Sequence, residues 1–454
     1  MTDLIKKYNK PGPRYTSYPA VPHWETESFS AEGWVTALKK DYFDSKKNIE
    51  GLSLYIHLPF CESLCTFCGC NKRITKNHDN EDPYIQAILK EWSLYTQLFG
   101  EKPLLKEIHL GGGTPTFFSA KNLEKLIQGI VSESRLADNY AFSFEGHPNN
   151  TTEQHLKTLY DLGFTRVSFG VQDYNETVQK AIHRIQPFEN VKKVTETARK
   201  IGYTSVGHDI IFGLPFQNME HIEYTLQKTR ELAPDRIAFY SYAHVPWIKG
   251  NGQRGFKEED IPKDEAKRQL YERGKKILCE NGYVEIGMDH FALPHDSLHQ
   301  SMRNKTLHRN FMGYTSSYSP IMIGLGVSSI SNCKTAFAQN EKNLEDYYQA
   351  LKENRFPVFK GHFQTKLDIE VSKIILDLTC RFTTKINPDT FDSDALFNIF
   401  KGLEELKNDG IVEIENNQVT VTDIGRPFIR NVCMAFDPRL HAPQTQKQQF
   451  SMTV

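Results

Sequence analysis

Between about residues 50 and 245 the chain repeats one pattern six times: a short β-branched and aromatic run, a polar or glycine-containing loop, then a stretch with helical spacing. The runs are LSLYIHL (52 to 58), EIHL (107 to 110), AFSFE (141 to 145), RVSFGV (166 to 171), SVGHDIIF (205 to 212) and RIAFYSY (236 to 242). The spacing predicts intervening helices from Pro83 to about Leu98, Ser119 to about Ser134, Thr152 to Leu162, Asn190 to Ile201 and Met219 to Leu232. Ser119 and Thr152 read as helix N-caps, because a side-chain oxygen there accepts from unpaired first-turn amides. Strand and helix in alternation, joined by right-handed crossovers, give a parallel sheet that is either doubly wound or closed into a barrel.

The polar residues decide between these two. Cys61 follows the first run, Gly111-Gly112-Gly113 the second, Glu145 ends the third, Gln172 the fourth, Asp209 lies in the fifth and Ala243-His244 follows the sixth. In a barrel the C-terminal strand ends converge on one mouth, so residues far apart in sequence share one site. Six units fall short of eight, and the expectation is an α/β fold built on an incomplete, opened (β/α)6 TIM-like barrel with a wide mouth.

At 454 residues the chain has room for a second, smaller unit. From about 365 the character changes: EVSKIILDLTCRF and ALFNIFKGLEELKNDG have amphipathic helical spacing and IVEI-ENN-QVTV resembles a hairpin. The expected division is an N-terminal arm (1–45), the partial barrel with an extension (46–360) and a mostly helical, winged-helix-like C-terminal domain (361–454). That domain is not expected to read DNA. Between Asp394 and Asp423 acidic residues outnumber Lys401 and Lys407, which opposes phosphate binding. Over the whole chain 55 Lys and Arg meet 56 Asp and Glu, giving a formal charge of -1 and no global electrostatic case for nucleic acid or an anionic membrane. No apolar run is long enough to span a bilayer, and a cytoplasmic protein is expected. In a reducing compartment, isolated Cys279, Cys333, Cys380 and Cys433 read as small buried apolar residues.

Four cysteines are not isolated. HLPFCESLCTFCGCNK (57 to 72) holds Cys61, Cys65, Cys68 and Cys70. Thiolates spaced C-x3-C-x2-C can hold three corners of a four-iron, four-sulfur cube, since soft sulfur suits iron and a short loop lets three side chains turn inward. The alternative is a structural zinc site, but such ligands often come as two pairs, and here no second pair follows.

These residues carry a resemblance. C-x3-C-x2-C after a first strand and GGGTPT (111 to 116) after a second resemble the radical S-adenosylmethionine (SAM) superfamily. PRYTSYP (13 to 19), YIHLPFC (55 to 61), CTFCGCNK (65 to 72), FGVQD (169 to 173), HDIIFGLP (208 to 215), YAHVP (242 to 246), GMDHFA (287 to 292), LHRNFMGYT (307 to 315) and GLGVSSIS (324 to 331) are similar, in order, to the oxygen-independent coproporphyrinogen III oxidase family within it. The resemblance implies Cys61, Cys65 and Cys68 as ligands of the 4Fe-4S cluster, whose remaining iron chelates SAM. It implies conversion of two propionates of coproporphyrinogen III to vinyl groups, giving protoporphyrinogen IX with two SAM consumed per product. Cys70 is the family-specific extra and the candidate catalytic residue. Gly112, Gly113, Thr114, Tyr55, Glu145 and Ile330 would form a first SAM site; Phe67, Gly113, Thr114, Gln172, Arg184, Asp209 and Ala243 match a second. One departure is Glu145-Gly146-His147-Pro148, where relatives more often carry an acidic residue ahead of the proline, which leaves the hydrogen bonding around Glu145 open.

The first twenty residues, with Lys6, Lys7, Lys10, Arg14, Tyr15 and Tyr18, cannot form a helix across the prolines of PGP. They read either as a solvated arm or, with the PRYTSYP resemblance, as a lid that contacts a tetracarboxylate substrate. His308 and Arg309 are further candidates for propionate recognition. Expected partners are the porphyrinogen, an electron donor such as a flavodoxin-type protein and an unidentified electron acceptor, with no nucleic acid, no membrane and a monomeric chain. The competing functions are a heme-trafficking protein, another radical SAM enzyme of heme metabolism, such as a ring-opening one, and a zinc-stabilised interaction module.

Overall fold

A computed structural model describes residues 2–46, 51–247, 253, 255–440 and 450–453. Its centre is a 12-stranded sheet. The six strands expected from the repeats are β1 (Leu52–Leu58), β2 (Leu104–Gly112), β3 (Arg135–Gly146), β4 (Phe164–Gln172), β5 (Ser205–Phe212) and β6 (Arg236–Ser241), all parallel and adjacent in chain order. Ser119 accepts from the amide of Asn122 and Thr152 from that of His155, so both expected N-caps close their helices. The helices Glu81–Phe99, Ala120–Ser132, Glu153–Asp161, Phe188–Ile201 and Met219–Leu232 fall in the expected intervals.

The extension supplies the other six strands. β7 (Val284–Ile286) and β8 (His290–Ala292) are added antiparallel beyond β6, while β9 (Met322–Leu325) lies parallel to β1 on its free side and leads antiparallel into β10 (Ile330–Asn332), β11 (Ala336–Asn340) and β12 (Val358–Phe363). GLGVSSIS (324 to 331), one of the stretches that carry the family resemblance, spans the turn from β9 into β10. A Cβ at Gly324 would lie 2.5 Å from the carbonyl oxygen of Ile330, so only glycine lets β10 fold back this closely. The sheet runs from β12 to β7 without closing on itself, which is the opened barrel.

The main apolar core lies between this sheet and its outer helices, with Trp34, Trp92, Tyr95, Phe142, Phe144 and Phe164 fully buried. A second core joins both ends of the chain: Ile5, Tyr8, Tyr15 and Tyr18 pack with Val371, Leu378, Leu403, Val419 and Phe436. The arm opens with a helix, Thr2–Tyr8, that stops before PGP, and it is docked rather than solvated. The expected hairpin pairs Val412–Glu415 with Gln418–Val421 through Asn416 and Asn417, both at positive φ (48° and 64°), where asparagine is tolerated and the turn matches strand twist. Cys333, Cys380 and Cys433 are buried as expected; Cys279, near the end of the helix Asp264–Glu280, is exposed, because its position falls off that helix's buried face of Leu270, Tyr271, Gly274 and Leu278. No helix among the described residues is long and apolar enough to cross a membrane.

Candidate active site

The cysteine loop leaves β1 at the barrel mouth. Phe60–Cys61 pairs in parallel with Arg73–Ile74, and the amides of Arg73 and Thr75 donate to the carbonyls of Pro59 and Cys61 (2.8 and 2.9 Å), which ties off the loop at its base. Thr66 pins the far side: its amide donates to Ile182 O and its hydroxyl to Ala181 O, both at 3.0 Å. Beneath the loop, His57 faces Asn71 O through Nε2 (2.9 Å) and Tyr55 OH through Nδ1 (3.1 Å). A carbonyl only accepts, so Nε2 carries the proton and the ring is neutral; burial holds its pKa down.

Cys61, Cys65, Cys68 and Cys70 open on a cavity of about 330 Å³, shared with Phe67, Gly112, Gly113, Thr114, Glu145, Gln172, Arg184 and Asp209. Twelve of the fifteen residues implied by the resemblance are thus brought together. The other three are not part of this lining. Tyr55 sits one layer below, its register partner in β9 is Gly324, and the carbonyl of Ile330 packs over that glycine. Ala243 lies just outside, its carbonyl accepting from Gln253 Nε2 (3.0 Å), which also donates to Phe67 O (3.1 Å).

The thiols are not equivalent. Thr114 Oγ1 donates to Cys61 Sγ (3.3 Å), yet burial pushes that thiol up to about 11. Arg184 Nη1 donates to Cys65 Sγ at 3.7 Å, a long contact. Cys68 and Cys70 lie close enough to affect each other: the Cys70 thiol lowers the pKa of Cys68, while its own is raised by the same neighbour. Cys70 is therefore a neighbour of a ligand candidate rather than a group aimed alone at the cavity. Gly113 is set by a close approach. A Cβ there would lie 2.6 Å from the carbonyl carbon and oxygen of Pro59 and 3.0 Å from Cys61 Sγ. Gly112, at φ 112°, would press a Cβ onto the His57 ring.

The strand ends supply the polar wall. Glu145 ends β3 beside His109, whose Nε2 lies 3.5 Å from Oε1. Asp209 accepts from Ser168 Oγ (2.9 Å), and burial, reinforced by Glu145, raises its pKa to about 6. Gln172 turns at φ 68°, and Arg184 Nη2 donates to Gly170 O at 2.7 Å, so the guanidinium is held against the end of β4. Three residues escaped the sequence reading. Lys72 donates to the carbonyls of Cys68 and Cys70 (3.1 and 3.3 Å) and braces the loop; only its place in CGCNK hinted at it. Gln253 had no local signal. His147, the departure before Pro148, accepts from the amide of Asn149 through Nδ1 (3.1 Å) and is kept neutral by burial, which lowers it to about 2.

These residues fit a cluster held through three irons. Three free thiols share one cavity wall, a glycine leaves room against Cys61, and carboxylate, amide and guanidinium groups lie within the same cavity for an amino acid and a ribose. Among the described residues no three His, Cys, Asp or Glu side chains converge as the ligand sphere of a single metal ion requires.

A family model for the radical SAM superfamily matches residues 55–229, from β1 into the helix before β6. Curated relatives named oxygen-independent coproporphyrinogen III oxidase match from end to end. The one from Synechocystis sp. is 36% identical over 463 residues, covering 100% of this chain and 97% of the relative; that from Escherichia coli is 36% identical over 456 residues, covering 99% and 98%. The solved structure of coproporphyrinogen III oxidase (HemN) from Escherichia coli, described as a radical SAM enzyme, superposes with a TM-score of 0.88 at 35% identity, covering 96% of this chain and 98% of its own. With identity of this order sustained along the whole length and the same fold, the chain belongs to the oxygen-independent coproporphyrinogen III oxidase family of the radical SAM superfamily.

Proposed function

We propose that this protein oxidatively decarboxylates two propionate side chains of coproporphyrinogen III to vinyl groups, giving protoporphyrinogen IX. The observation that carries the proposal is the single cavity in which Cys61, Cys65 and Cys68 meet Gly113, Glu145, Gln172, Arg184 and Asp209. When bound, the 4Fe-4S cluster and SAM supply a primary carbon radical able to take a hydrogen atom from a propionate β-carbon; carbon dioxide and one electron then leave, the electron to a separate acceptor.

The protein's own part is holding and excluding. Cys61, Cys65 and Cys68 are assigned to the cluster, with Thr114 donating to one sulfur and Arg184 to another. Glu145, Gln172 and Asp209 are assigned to amine and hydroxyl groups of the cofactor, Arg184 to its carboxylate, and Phe67 to its apolar surface. Tyr55, Ala243 and Ile330 act from behind this wall. Cys70 is assigned to the charge on Cys68, whose thiol pKa its proximity lowers. Fixed geometry of this kind is where most of the rate comes from, since the reacting carbon must be held within contact distance of the radical.

The division into arm (1–45), barrel with extension (46–360) and C-terminal domain (361–454) is supported in its second boundary by the two separate cores; the arm is shared between them, with Tyr8, Tyr15 and Tyr18 in the second and Trp34 and Tyr42 in the first, and its boundary adjoins residues 47–50, which lie outside the described residues. A monomer in the cytoplasm, reduced by a flavodoxin-type donor, completes the proposal. The test is anaerobic: reconstituted protein given SAM, reductant, an electron acceptor and coproporphyrinogen III should release protoporphyrinogen IX and two 5′-deoxyadenosine per product. Cleavage of SAM with no decarboxylation would assign the site to another substrate.

A further inference from the structure

Beside the mouth, where Ser241 ends β6, a second and smaller cavity of about 90 Å³ lies between the arm, the segment from Glu285 to Asp289 and the C-terminal domain. Six cationic side chains line it against two carboxylates, Glu285 and Asp289. Three of the six have their own partners: Arg268 pairs with Glu272, Lys275 with Glu285 and Arg426 with Asp423. Arg14, Arg309 and Arg430 remain, and among the described residues the carboxylate acting on them is Asp289, already bonded to His290 at 2.7 Å. Three guanidinium groups thus face one carboxylate. The crowding is felt nearby as well: burial, then Arg14 and Arg430, lower the amine of Lys267 to about 7.

Buried charge without a counter-ion is costly enough that proteins pair it or bind an ion. The donors that remain point to which groups do so here. Arg430 is used up, donating to the carbonyls of Gly12, Pro13, Ser451 and Met452. Arg309 gives Nη1 to the carbonyls of Arg14 and Tyr15, and its buried Nε has no acceptor among the described residues. Among the described residues Arg14 has an acceptor only for Nη2, the carbonyl of Ser241 (2.9 Å). The cofactor cavity is mixed instead, with Glu145 and Asp209 set against Lys72 and Arg184.

We infer that Arg14 and Arg309 bind a substrate carboxylate in this cavity, one not undergoing cleavage, and that Arg430 is a positioning residue that holds Gly12 and Pro13 so that Arg14 reaches the rim. The identity of that carboxylate as a porphyrinogen propionate rests on the proposed function. His308 is no part of this site: its ring packs edge-on against Tyr318 (4.9 Å), and burial lowers it to about 4 and keeps it neutral.

The experiment uses the full chain and coproporphyrin III, the fluorescent oxidised tetracarboxylate, as probe. Arg14→Gln and Arg309→Gln should each weaken binding by ~10-fold or more, the loss typical of removing one member of a buried charge pair, with Arg14→Lys less affected. Lys373→Ala, in the neighbouring cavity whose lining has Arg309 in common with this one, should bind as the wild type does. Arg430→Met should raise KM for coproporphyrinogen III with little change in kcat. Should a glutamine variant unfold, the wild type still decides: its affinity for coproporphyrin III should fall with added KCl, whereas that for the tetramethyl ester should not. Arg14→Gln binding the probe as tightly as wild type at an unchanged melting midpoint, or salt-independent binding, overturns the inference. Wild type that makes no protoporphyrinogen IX overturns the proposed function instead.

Discussion

The two ends of the barrel bury charge in opposite ways. At the N-terminal ends of the strands, Arg166 pairs with Glu107 (3.2 Å), which also accepts from Ser53, and Arg236 pairs with Asp296 (2.7 Å), which also accepts from Ser205 and from the amide of Leu298. Each ion there has a counter-ion and further hydrogen bonds, so this layer is a plug. At the mouth, among the described residues, Glu145 has only a 3.5 Å contact to His109, Asp209 one hydroxyl, and the guanidinium groups of Arg14 and Arg309 outnumber their carboxylates. Charge at the plug is spent on the protein itself, and charge at the mouth is left for something else.

Four substitutions sharpen or break this contrast. The largest effect is Cys61→Ala, which should abolish product formation and leave anaerobically reconstituted protein with its iron content and visible absorption largely lost; full activity would break the assignment of the mouth. Next, Glu107→Gln strands Arg166 in the plug and should cost ~3 kcal/mol in urea unfolding, while activity per folded molecule stays near wild type. A variant with wild-type stability and impaired turnover would mean that the plug is functional after all. Gly113→Ala forces a methyl against the Pro59 backbone and should lower SAM affinity, measured by equilibrium dialysis, by ~10-fold to 100-fold, with a folding cost of about 1–3 kcal/mol from the clash.

The smallest effect is on pH. The folded-state pKa of Asp209, about 6, lies above its ordinary 3.8, so between these values the folded protein keeps a proton that the unfolded chain has released. Its contribution to stability therefore falls as pH rises through that window and is flat above it. Asp209→Asn should remove this fall, seen in unfolding midpoints across the window, and should raise stability at neutral pH.

What the sequence revealed followed from local pattern. Six strands were legible because each is a β-branched or aromatic run ending at a polar residue, and Ser119, Thr152 and the two asparagines of ENN mark their turns and caps through chemistry within four residues. The cysteine loop and the strand-end acids followed from that periodicity together with resemblance. The missed features are all non-local. β9 to β12 are short and glycine-broken, and their sheet membership depends on β1 having a free edge. The docking of the arm escaped because Tyr8, Tyr15 and Tyr18 stand among lysines and prolines, and their apolar partners lie some 350 to 420 residues onward. The unbalanced arginines could not be seen either, since a chain with net charge of -1 gives no hint of where its counter-ions end up.

The docked arm has one more consequence. Tyr15 donates to Asp437 (3.0 Å) and belongs to the C-terminal core, while its neighbour Arg14 touches the rim of the barrel. A displacement of the terminal domain would carry that guanidinium with it, so where Arg14 sits at the rim is anchored in a core built largely from the far end of the chain.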